Sequence, residues 1–315
     1  MVAPTDSDTP HVVVTGGCGF IGRAVVRAFR DRGARVTVVD REPLTVRDEG
    51  VTGIQGDLAD PRVREAAVRP GTDGIVHLAA VTSVLRSVEM PATTYAENVA
   101  ITHELLELAR TRGVPRFVFA STNAVVGDVG GSTISESLPL QPLTPYGATK
   151  AACEMLLSGY AGSYGLAACA LRFTNVYGPG MSHKDSFIPR LMRAALHGTG
   201  VRVYGDGRQR RDLVNLADIV RGILLAWDRE YTGRAILGSG HSVSVLDMID
   251  AVREVTGRPL EVEHVPAPEG EMPAVVVDLS RSERVLGYRP QVSLTEGLAE
   301  VWEYFVEHDR EKVPE

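Results

Sequence analysis

The hydrophobic pattern of the first forty residues changes its period twice, from strand to helix and back to strand. Residues 11–15 (HVVVT) form a short β-branched run of the kind found in strands that are buried on both faces. Residues 23–30 have the spacing of an amphipathic helix, which Gly33 ends, and residues 34–39 form a second apolar run that stops at Asp40. The pattern therefore predicts a β-α-β unit with a glycine-rich turn after its first strand.

The same alternation of strand and helix continues as far as residue 173. Repeated strand–helix units joined by right-handed crossovers build a doubly wound parallel α/β sheet of the Rossmann type. We predict further strands at 51–58, 74–80, 116–120 and 166–173, and helices at 61–67, 95–112 and 146–160.

The pattern becomes irregular after Asn175, which predicts a second and smaller unit. A helix is predicted at 187–197, a strand at 201–204, and a strand-to-helix segment at 214–227 that is expected to rejoin the sheet. We expect a flexible tail at residues 1–10. A Rossmann domain is expected to comprise residues 11–175 and about 212–240. A smaller C-terminal substrate-binding domain is expected to comprise about 176–211 and 241–315.

The turn after the first predicted strand, residues 16–22, reads GGCGFIG. Its glycines at 16, 19 and 22 permit a tight turn, a close approach of backbone N–H groups to a diphosphate, and packing of the helix on the strand. The N-terminus of that helix then faces the phosphates. Asp40 suits the hydroxyls of an adenosine ribose and repels a 2′-phosphate, which favours NAD over NADP. Arg41 is the counter-argument, because an arginine at this position can bind that phosphate.

Tyr146 and Lys150 are the candidate catalytic pair. Pro145 suits the first position of a helix, and residues four apart share one helical face. A nearby ammonium and the positive end of the helix dipole both favour the phenolate. Tyr146 is therefore predicted to be a general base whose pKa lies well below the usual value of about 10. A surface tyrosine one turn from a lysine is the structural alternative, although lysine occurs only at 150, 184 and 312.

Composition and charge are those of an ordinary soluble globular protein and disfavour several other classes. A net charge of −7 gives no reason to expect a nucleic-acid or anionic-membrane partner. No apolar stretch approaches the ~18 residues of a membrane span, and the first ten residues do not have the pattern of a signal peptide. The three cysteines, Cys18, Cys153 and Cys169, lack metal-ligand spacing, which predicts a reduced cytoplasmic setting and no metal site.

Five motifs in order along the chain resemble the extended short-chain dehydrogenase/reductases. They are the glycine turn, residues 77–80 (HLAA), Thr122, Tyr146 with Lys150, and residues 171–179 (LRFTNVYGP). Within that superfamily the chain resembles the NAD-dependent nucleotide-sugar epimerase/dehydratase family, and UDP-glucose 4-epimerases in particular, from about His11 to about Pro290. The resemblance implies a Rossmann domain with bound NAD and a nucleotide-diphosphate sugar as substrate.

The resemblance also implies a role for each candidate residue. Tyr146 would deprotonate the 4-hydroxyl of the sugar, Lys150 would assist it and hold the cofactor, and Thr122 would hydrogen-bond the same sugar oxygen. Substrate contacts are implied for Arg86, whose alternative is solvent, and for Asn123, Asn175, Arg211 and Glu271. Cofactor contacts are implied for Gly16, Gly19, Phe20, Ile21, Gly22, Asp40, Arg41, Asp57, Leu58, Leu78, Ala79, Ala80 and Asn98. His77 and Cys18 are expected to be packing residues.

Two positions depart from the pattern of the family. Val126 stands where relatives usually have a tyrosine, and Pro268 stands where relatives often have an arginine that supports the substrate diphosphate. Binding of the nucleotide is therefore expected to be weaker or rearranged.

The residues after Thr122 bear on the choice of reaction. Sugar 4,6-dehydratases of the family carry Asp-Glu there, whereas this chain has Asn123-Ala124, and neither side chain can transfer a proton at neutral pH. We therefore expect a nucleotide-sugar 4-epimerase that acts through a transient 4-keto sugar. A dehydratase or a 4-ketoreductase is the alternative reaction, and a non-catalytic dinucleotide-binding regulator is the alternative of another class.

A homodimer is expected as well. Relatives pair two helices from each subunit, and the corresponding predicted helices here, 95–112 and 146–160, offer apolar residues at Leu105, Leu108, Met155 and Leu156. These faces could equally pack inward.

Overall fold

The centre of the molecule is a seven-stranded parallel sheet, in a computed structural model that describes residues 9–45, 48–266 and 273–310. Its strands run through the chain as β1 (His11–Thr15), β2 (Arg35–Asp40), β3 (Val51–Gln55), β4 (Gly74–His77), β5 (Arg116–Thr122), β7 (Ala167–Phe173) and β11 (Gly233–Leu237). The order across the sheet is β11-β7-β5-β4-β1-β2-β3, and every neighbouring pair is parallel. The predicted doubly wound α/β sheet is therefore confirmed.

Helices cover both faces of this sheet and bury its β-branched and aromatic residues. On one face α1 and α8 pack together, with the rings of Phe29 and Trp227 5.0 Å apart. On the other face Leu105 and Leu157 are fully buried against the strands. The helices are α1 (Phe20–Asp31), α2 (Pro61–Ala67), α3 (Val84–Glu89), α4 (Pro91–Tyr95), α5 (Ile101–Arg112), α6 (Pro145–Tyr164), α7 (Phe187–His197), α8 (Leu216–Asp228), α9 (Val245–Thr256), α10 (Ser280–Leu286) and α11 (Leu294–Arg310).

Short strands beside the main sheet build the walls of a cleft. One small sheet has the order β12-β10-β8, and two others pair β13 with β9 and β14 with β6. A further core, which includes the buried Leu191, Met192 and Ile249, lies beneath this part of the molecule. The proposed division of the chain into two domains stays a prediction. The strands are β6 (Thr133–Ile134), β8 (Asn175–Tyr177), β9 (Val201–Tyr204), β10 (Arg210–Asn215), β12 (Ser242–Ser244), β13 (Val262–Val265) and β14 (Val276–Val277).

One detail of the predicted topology was wrong. The strand that leads into α8, β10, does not join the main sheet but pairs in parallel with β8, which turns away from the sheet directly after β7. The strand that rejoins the main sheet is β11, which follows α8 and pairs with β7. Because strand pairing is a non-local contact, the hydrophobic run at 213–216 could not reveal which neighbour it would choose.

The predicted helix at 95–112 begins earlier and is interrupted by a π turn, Ala96–Ala100. Asn98 at its centre bonds the main chain of Val81 in both directions, accepting from N–H at 2.8 Å and donating to the carbonyl at 3.0 Å. The Asn98 carbonyl in turn accepts from the hydroxyl of Thr102 and the thiol of Cys153. These side-chain bonds compete with the regular helical ladder, and π turns of this kind occur frequently at functional sites.

A buried ion pair joins α6 to the centre of the sheet. Glu154 of α6 and Arg172 of β7 have fully buried side chains, and two guanidinium nitrogens donate to the two carboxylate oxygens at 2.8 and 2.7 Å. The hydroxyl of Ser121 donates to the same carboxylate at 2.6 Å, and Arg234 of β11 lies 3.1 Å from it. One carboxylate on α6 therefore contacts three adjacent strands.

Two negative findings concern the described residues. No helix among them is long and apolar enough to cross a membrane. In the same part of the chain no group of three or more histidine, cysteine or acidic side chains is placed to hold a metal ion. The three cysteines are free thiols.

Candidate functional site

The glycine turn forms a cradle between β1 and α1. Gly16 has a φ of 67°, its N–H donates to Val39 at 2.8 Å, and a Cβ at this position would lie 2.8 Å from the nitrogen of Ala79. A Cβ at Gly22 would lie only 2.1 Å from the carbonyl oxygen of Gly16. The N-terminus of α1 has no side-chain cap and no acidic residue in its first turn. These features fit a diphosphate bound to backbone N–H groups.

Asp40 and Arg41 lie at the adenosine end of this cradle. Asp40 accepts hydrogen bonds from the N–H groups of Cys18 at 2.9 Å and Glu42 at 3.1 Å, which orients its carboxylate. Arg41 lies between two acids, 3.0 Å from Asp57 and 3.2 Å from Glu97. An arginine neutralised by two carboxylates is a poor partner for an additional 2′-phosphate. The surroundings of Arg41 therefore favour NAD over NADP.

The candidate catalytic residues come together at the carboxyl end of β5. Helix α6 begins as the sequence predicts, with Pro145 in its first turn and the Thr144 hydroxyl accepting from the N–H of Gly147 at 3.2 Å. The hydroxyl of Thr122 lies near the phenol of Tyr146 and acts on its pKa as a hydrogen-bond donor. Lys150 is buried and its ammonium donates to the carbonyl of Ala120 at 2.8 Å. The predicted Thr122, Tyr146 and Lys150 therefore share one site.

The pKa of Tyr146 departs from the expectation. In the protein chain alone, burial raises the pKa of Tyr146 above its usual value, and the hydrogen bond from Thr122 opposes this only in part. Burial also lowers the pKa of Lys150 to about 8, while its ammonium is held by Ala120. The charge of the lysine favours the phenolate, but the loss of water around both groups acts in the opposite direction.

His77 is a buried structural residue, as expected. Its Nδ1 lies 2.6 Å from the hydroxyl of Thr15 and its Nε2 lies 3.1 Å from the hydroxyl of Thr102. Because Thr102 gives its own proton to the Asn98 carbonyl, it accepts from Nε2–H, and Nδ1 accepts from Thr15. Burial lowers the pKa of His77 to about 3, so the ring is neutral at physiological pH.

A cleft of about 750 Å³ runs from the adenosine end past Tyr146 to the small sheets. All the predicted cofactor residues line it except Asn98, which is buried behind the wall, and the predicted substrate residues Asn175 and Arg211 line it too. Arg86 is exposed on α3 outside the cleft, and Glu271 lies outside the described residues. Asn123 is buried next to the cleft, and neither of its amide atoms has a hydrogen-bond partner in the part of the chain that the structure describes.

Asn175 is held at the cleft by the main-chain carbonyl of Asp212, a buried residue that was not predicted to belong to the site. The Asn175 amide donates to the carbonyl of Asp212 at 3.1 Å, and the fully buried Asp212 carboxylate accepts from Thr174 at 2.7 Å and from the N–H of Ser239 at 2.8 Å. Arg211 lines the cleft, and its neighbours Arg208 and Arg210 are not among the lining residues. Its contact with a substrate diphosphate stays a prediction.

Several residues of the cleft were not predicted, because the sequence does not show which side chains of a helix, strand or loop face the cleft. Lys184 was the one with a signal in the sequence, since it is one of only three lysines and follows the motif at 171–179. The others are Thr82, Glu97, Tyr177, Phe187, Arg190, Arg202, Tyr204 and Gln209.

The ionic residues of the cleft are segregated. In the part of the chain that the structure describes, the carboxylates that line it are Asp40, Asp57 and Glu97, all at the adenosine end. The lining contributed by residues 173–248 has no carboxylate, histidine or cysteine among the described residues, and it carries the cations Lys184 and Arg211 together with Arg190 and Arg202, which are paired outside the lining with Asp185 and Glu263. This half is therefore suited to an anionic ligand such as a diphosphate.

The fold and the site together define a dinucleotide-dependent enzyme with a tyrosine–lysine pair. The chain belongs to the NAD dependent epimerase/dehydratase family, whose model matches residues 12–237. This confirms the resemblance seen in the sequence, and NAD is the cofactor of the family.

Known relatives catalyse two different reactions. UDP-glucose 4-epimerase of Corynebacterium glutamicum is 31% identical over 89% of this chain and 91% of its own, and dTDP-glucose 4,6-dehydratase of Streptomyces griseus is 32% identical over 95% of each. The structure of Thermus thermophilus UDP-glucose 4-epimerase in complex with NAD has a TM-score of 0.86 and 34% identity, covering 96% of this chain and 100% of that one. The protein is thus a nucleotide-sugar epimerase or dehydratase.

Replacing Asp40 tests the preference for NAD. We expect Asp40→Ser to weaken NAD binding about 10-fold and to narrow the ratio of NADP to NAD dissociation constants, because the ribose loses a charged acceptor and the 2′-phosphate loses a repelling charge. Isothermal titration with both dinucleotides measures this. Glu42→Gln is the control, since it removes a neighbouring charge that does not line the cleft. A wild-type protein that binds only NADP would contradict the role of Asp40.

Proposed function

We propose that the protein is a nucleotide-sugar 4-epimerase. The observation that carries the proposal is the absence of a second acid–base pair beside Tyr146 among the described residues. Thr122 is followed by Asn123 and Ala124, and no carboxylate, histidine or cysteine lines the substrate half of the cleft in those residues. A 4,6-dehydratase needs groups that deprotonate carbon 5 and protonate the leaving 6-hydroxyl, whereas an epimerase needs neither.

Tyr146 and Thr122 supply the proton chemistry of the proposed reaction. Tyr146 accepts the proton of the sugar 4-hydroxyl, and Thr122 hydrogen-bonds the same oxygen, so a transient 4-keto sugar can form. Bound NAD would supply a hydride acceptor that returns the hydride, with a positively charged ring that favours the phenolate of Tyr146. Gly16, Gly19 and Gly22 would hold its diphosphate and Asp40 its adenosine ribose.

The cationic half of the cleft would hold the nucleotide diphosphate of the substrate. Arg211 can bind phosphate oxygens in pairs, and Asn175 is oriented by the buried Asp212 at the edge of the same space. Asn123 is a candidate sugar contact, because its buried amide has no partner among the described residues. Relatives act on UDP-glucose and dTDP-glucose, which supports a nucleoside-diphosphate hexose as the substrate class.

Product analysis tests the proposed reaction. Incubation with UDP-, dTDP- and GDP-hexoses, followed by NMR of the products, is expected to show the C4 epimer of one of them and no net change in NAD. An epimerase equilibrates its substrate from either side, so the pure epimer must return the same mixture. A 4-keto-6-deoxy sugar or an unsaturated sugar without a C4 epimer would contradict the proposal and identify a dehydratase.

The Tyr146→Phe variant tests the assigned base. Removing the hydroxyl is expected to lower kcat by at least 10²-fold, because positioned acid–base catalysis contributes about 10²–10⁴-fold, while NAD binding changes little. Tyr164→Phe is the matched control, since Tyr164 is an exposed tyrosine at the far end of the same helix. Epimerisation by Tyr146→Phe within 10-fold of the wild-type rate would assign the base to another group.

We also propose that the protein forms a homodimer through α5 and α6. Leu105 is fully buried in the core and is excluded from such an interface, but Met155 of α6 is 46% exposed. Tyr95, at 58% exposure, ends α4, directly before the π turn that leads into α5. A twofold interface formed by these helices would cover them. We further propose a cytoplasmic location, because its reducing environment would keep the three cysteines as free thiols.

Light scattering at micromolar concentration measures the oligomeric state. We expect the mass of a dimer for the wild type and the mass of a monomer for Met155→Glu, because a charge at a packed apolar contact is strongly unfavourable. Met155→Leu preserves the apolar contact and should remain dimeric. A monomeric wild-type protein under these conditions would rule out the stable dimer.

A further inference from the structure

Lys184 reaches the cofactor side of the cleft from the substrate side. It lies in the segment between β8 and α7, lines the cleft, and is half-buried. Its ammonium lies 5.4 Å from the centre of the ring of Phe20, the first residue of α1. A cation over an aromatic face is held by the quadrupole of the ring. Phe20 therefore fixes the ammonium close to the N-terminus of α1, where the glycine cradle lies.

The charge of Lys184 is not neutralised by a carboxylate in the part of the chain that the structure describes. Its neighbour Asp185 is used by Arg190, which donates to both carboxylate oxygens at 2.7 Å, and lies 3.7 Å from Arg193. Burial lowers the pKa of Lys184, and no acid opposes this effect. A half-buried cation without a counter-ion is unfavourable, so the site becomes more stable when a ligand brings a negative charge.

The surroundings of α1 strengthen the positive potential at this point. The pKa of His183 is lowered by burial and by the charges of both Lys184 and Arg23, which shows that the three bases share one region. Arg23 lies in the first turn of α1 and donates to the carbonyl of Cys18 at 2.7 Å. The backbone N–H groups at the start of α1 add the positive end of the helix dipole.

We propose that Lys184 binds the diphosphate of NAD, so that the substrate side of the cleft contributes a cation to cofactor binding. The segment that carries it is held in place, because Arg193 of α7 donates to the carbonyls of Ser182 and Lys184 at 2.9 and 3.1 Å. The proposed contact of Lys184 with the diphosphate would connect the glycine cradle to the segment before α7. Residues of α7 also line the substrate half of the cleft. The proposed contact depends on the cofactor and not on which sugar reaction the enzyme catalyses.

The test compares ligands that have a diphosphate with one that lacks it. Lys184→Met is expected to weaken NAD and ADP-ribose about 10- to 100-fold in isothermal titration of the NAD-free protein, and to leave adenosine unchanged. Lys184→Arg should recover most of the affinity, because it keeps the charge. Arg27→Met is the matched control for net charge, since Arg27 is exposed on α1 and does not line the cleft.

Two results would overturn the proposal. Unchanged binding of NAD and ADP-ribose by Lys184→Met would show that the ammonium does not contact the cofactor. Weaker binding of UDP with unchanged binding of ADP-ribose would assign Lys184 to the diphosphate of the nucleotide sugar. A thermal-melting measurement of each variant without ligand separates both results from a loss of folding. Failure of the epimerase assay would leave these binding results intact.

Discussion

The carboxylate of Glu154 fixes the catalytic helix to the sheet, and the geometry of the site depends on it. Glu154 lies one helical turn after Lys150, and Ser121, which donates to it, directly precedes Thr122. Two fully buried charges are tolerated only as a pair with good hydrogen bonds, and loss of one partner typically costs about 3–5 kcal/mol. Helix α6 therefore cannot slide along β5 without breaking this network, and so Tyr146 on the helix stays close to Thr122 at the end of the strand.

The parts of this arrangement that could be predicted from the sequence are those made by residues close to each other in the chain. The cradle was predictable because strand, turn, helix and acid are adjacent in the chain, and their order and spacing specify the β-α-β unit from β1 to Asp40. The start of α6 was equally local, since Pro145 and the Thr144 cap act within a few residues. The contact from Lys150 to Ala120 spans thirty residues, and only the fold reveals it.

Three of the revised predictions concern properties that a residue type does not give, namely the direction of a side chain and its exposure to solvent. Asn98 stands at the family position of a cofactor residue, but its side-chain amide hydrogen-bonds the main chain of Val81 behind the wall of the cleft. Leu105 and Met155 are both apolar, and only packing shows that the first is core and the second is surface. For Tyr146 the missing quantity was solvent exposure, which decided the direction in which its pKa moves.

The carboxylates that line the cleft are confined to one half, which would place the cofactor and the nucleotide sugar at different ends of one space. In the proposed arrangement, the acids at the adenosine end would accept hydrogen bonds from ribose hydroxyls and repel further phosphate, while Arg211 in the other half would attract a nucleotide diphosphate. Between them, Tyr146 and Thr122 are the groups that can exchange a proton with a hydroxyl of the sugar. In the proposed 4-epimerase, a substrate anchored by its diphosphate and contacted at the sugar mainly through neutral groups would leave the sugar free to turn. A hydride could then return to either face of the 4-keto sugar, which is what inversion at carbon 4 requires.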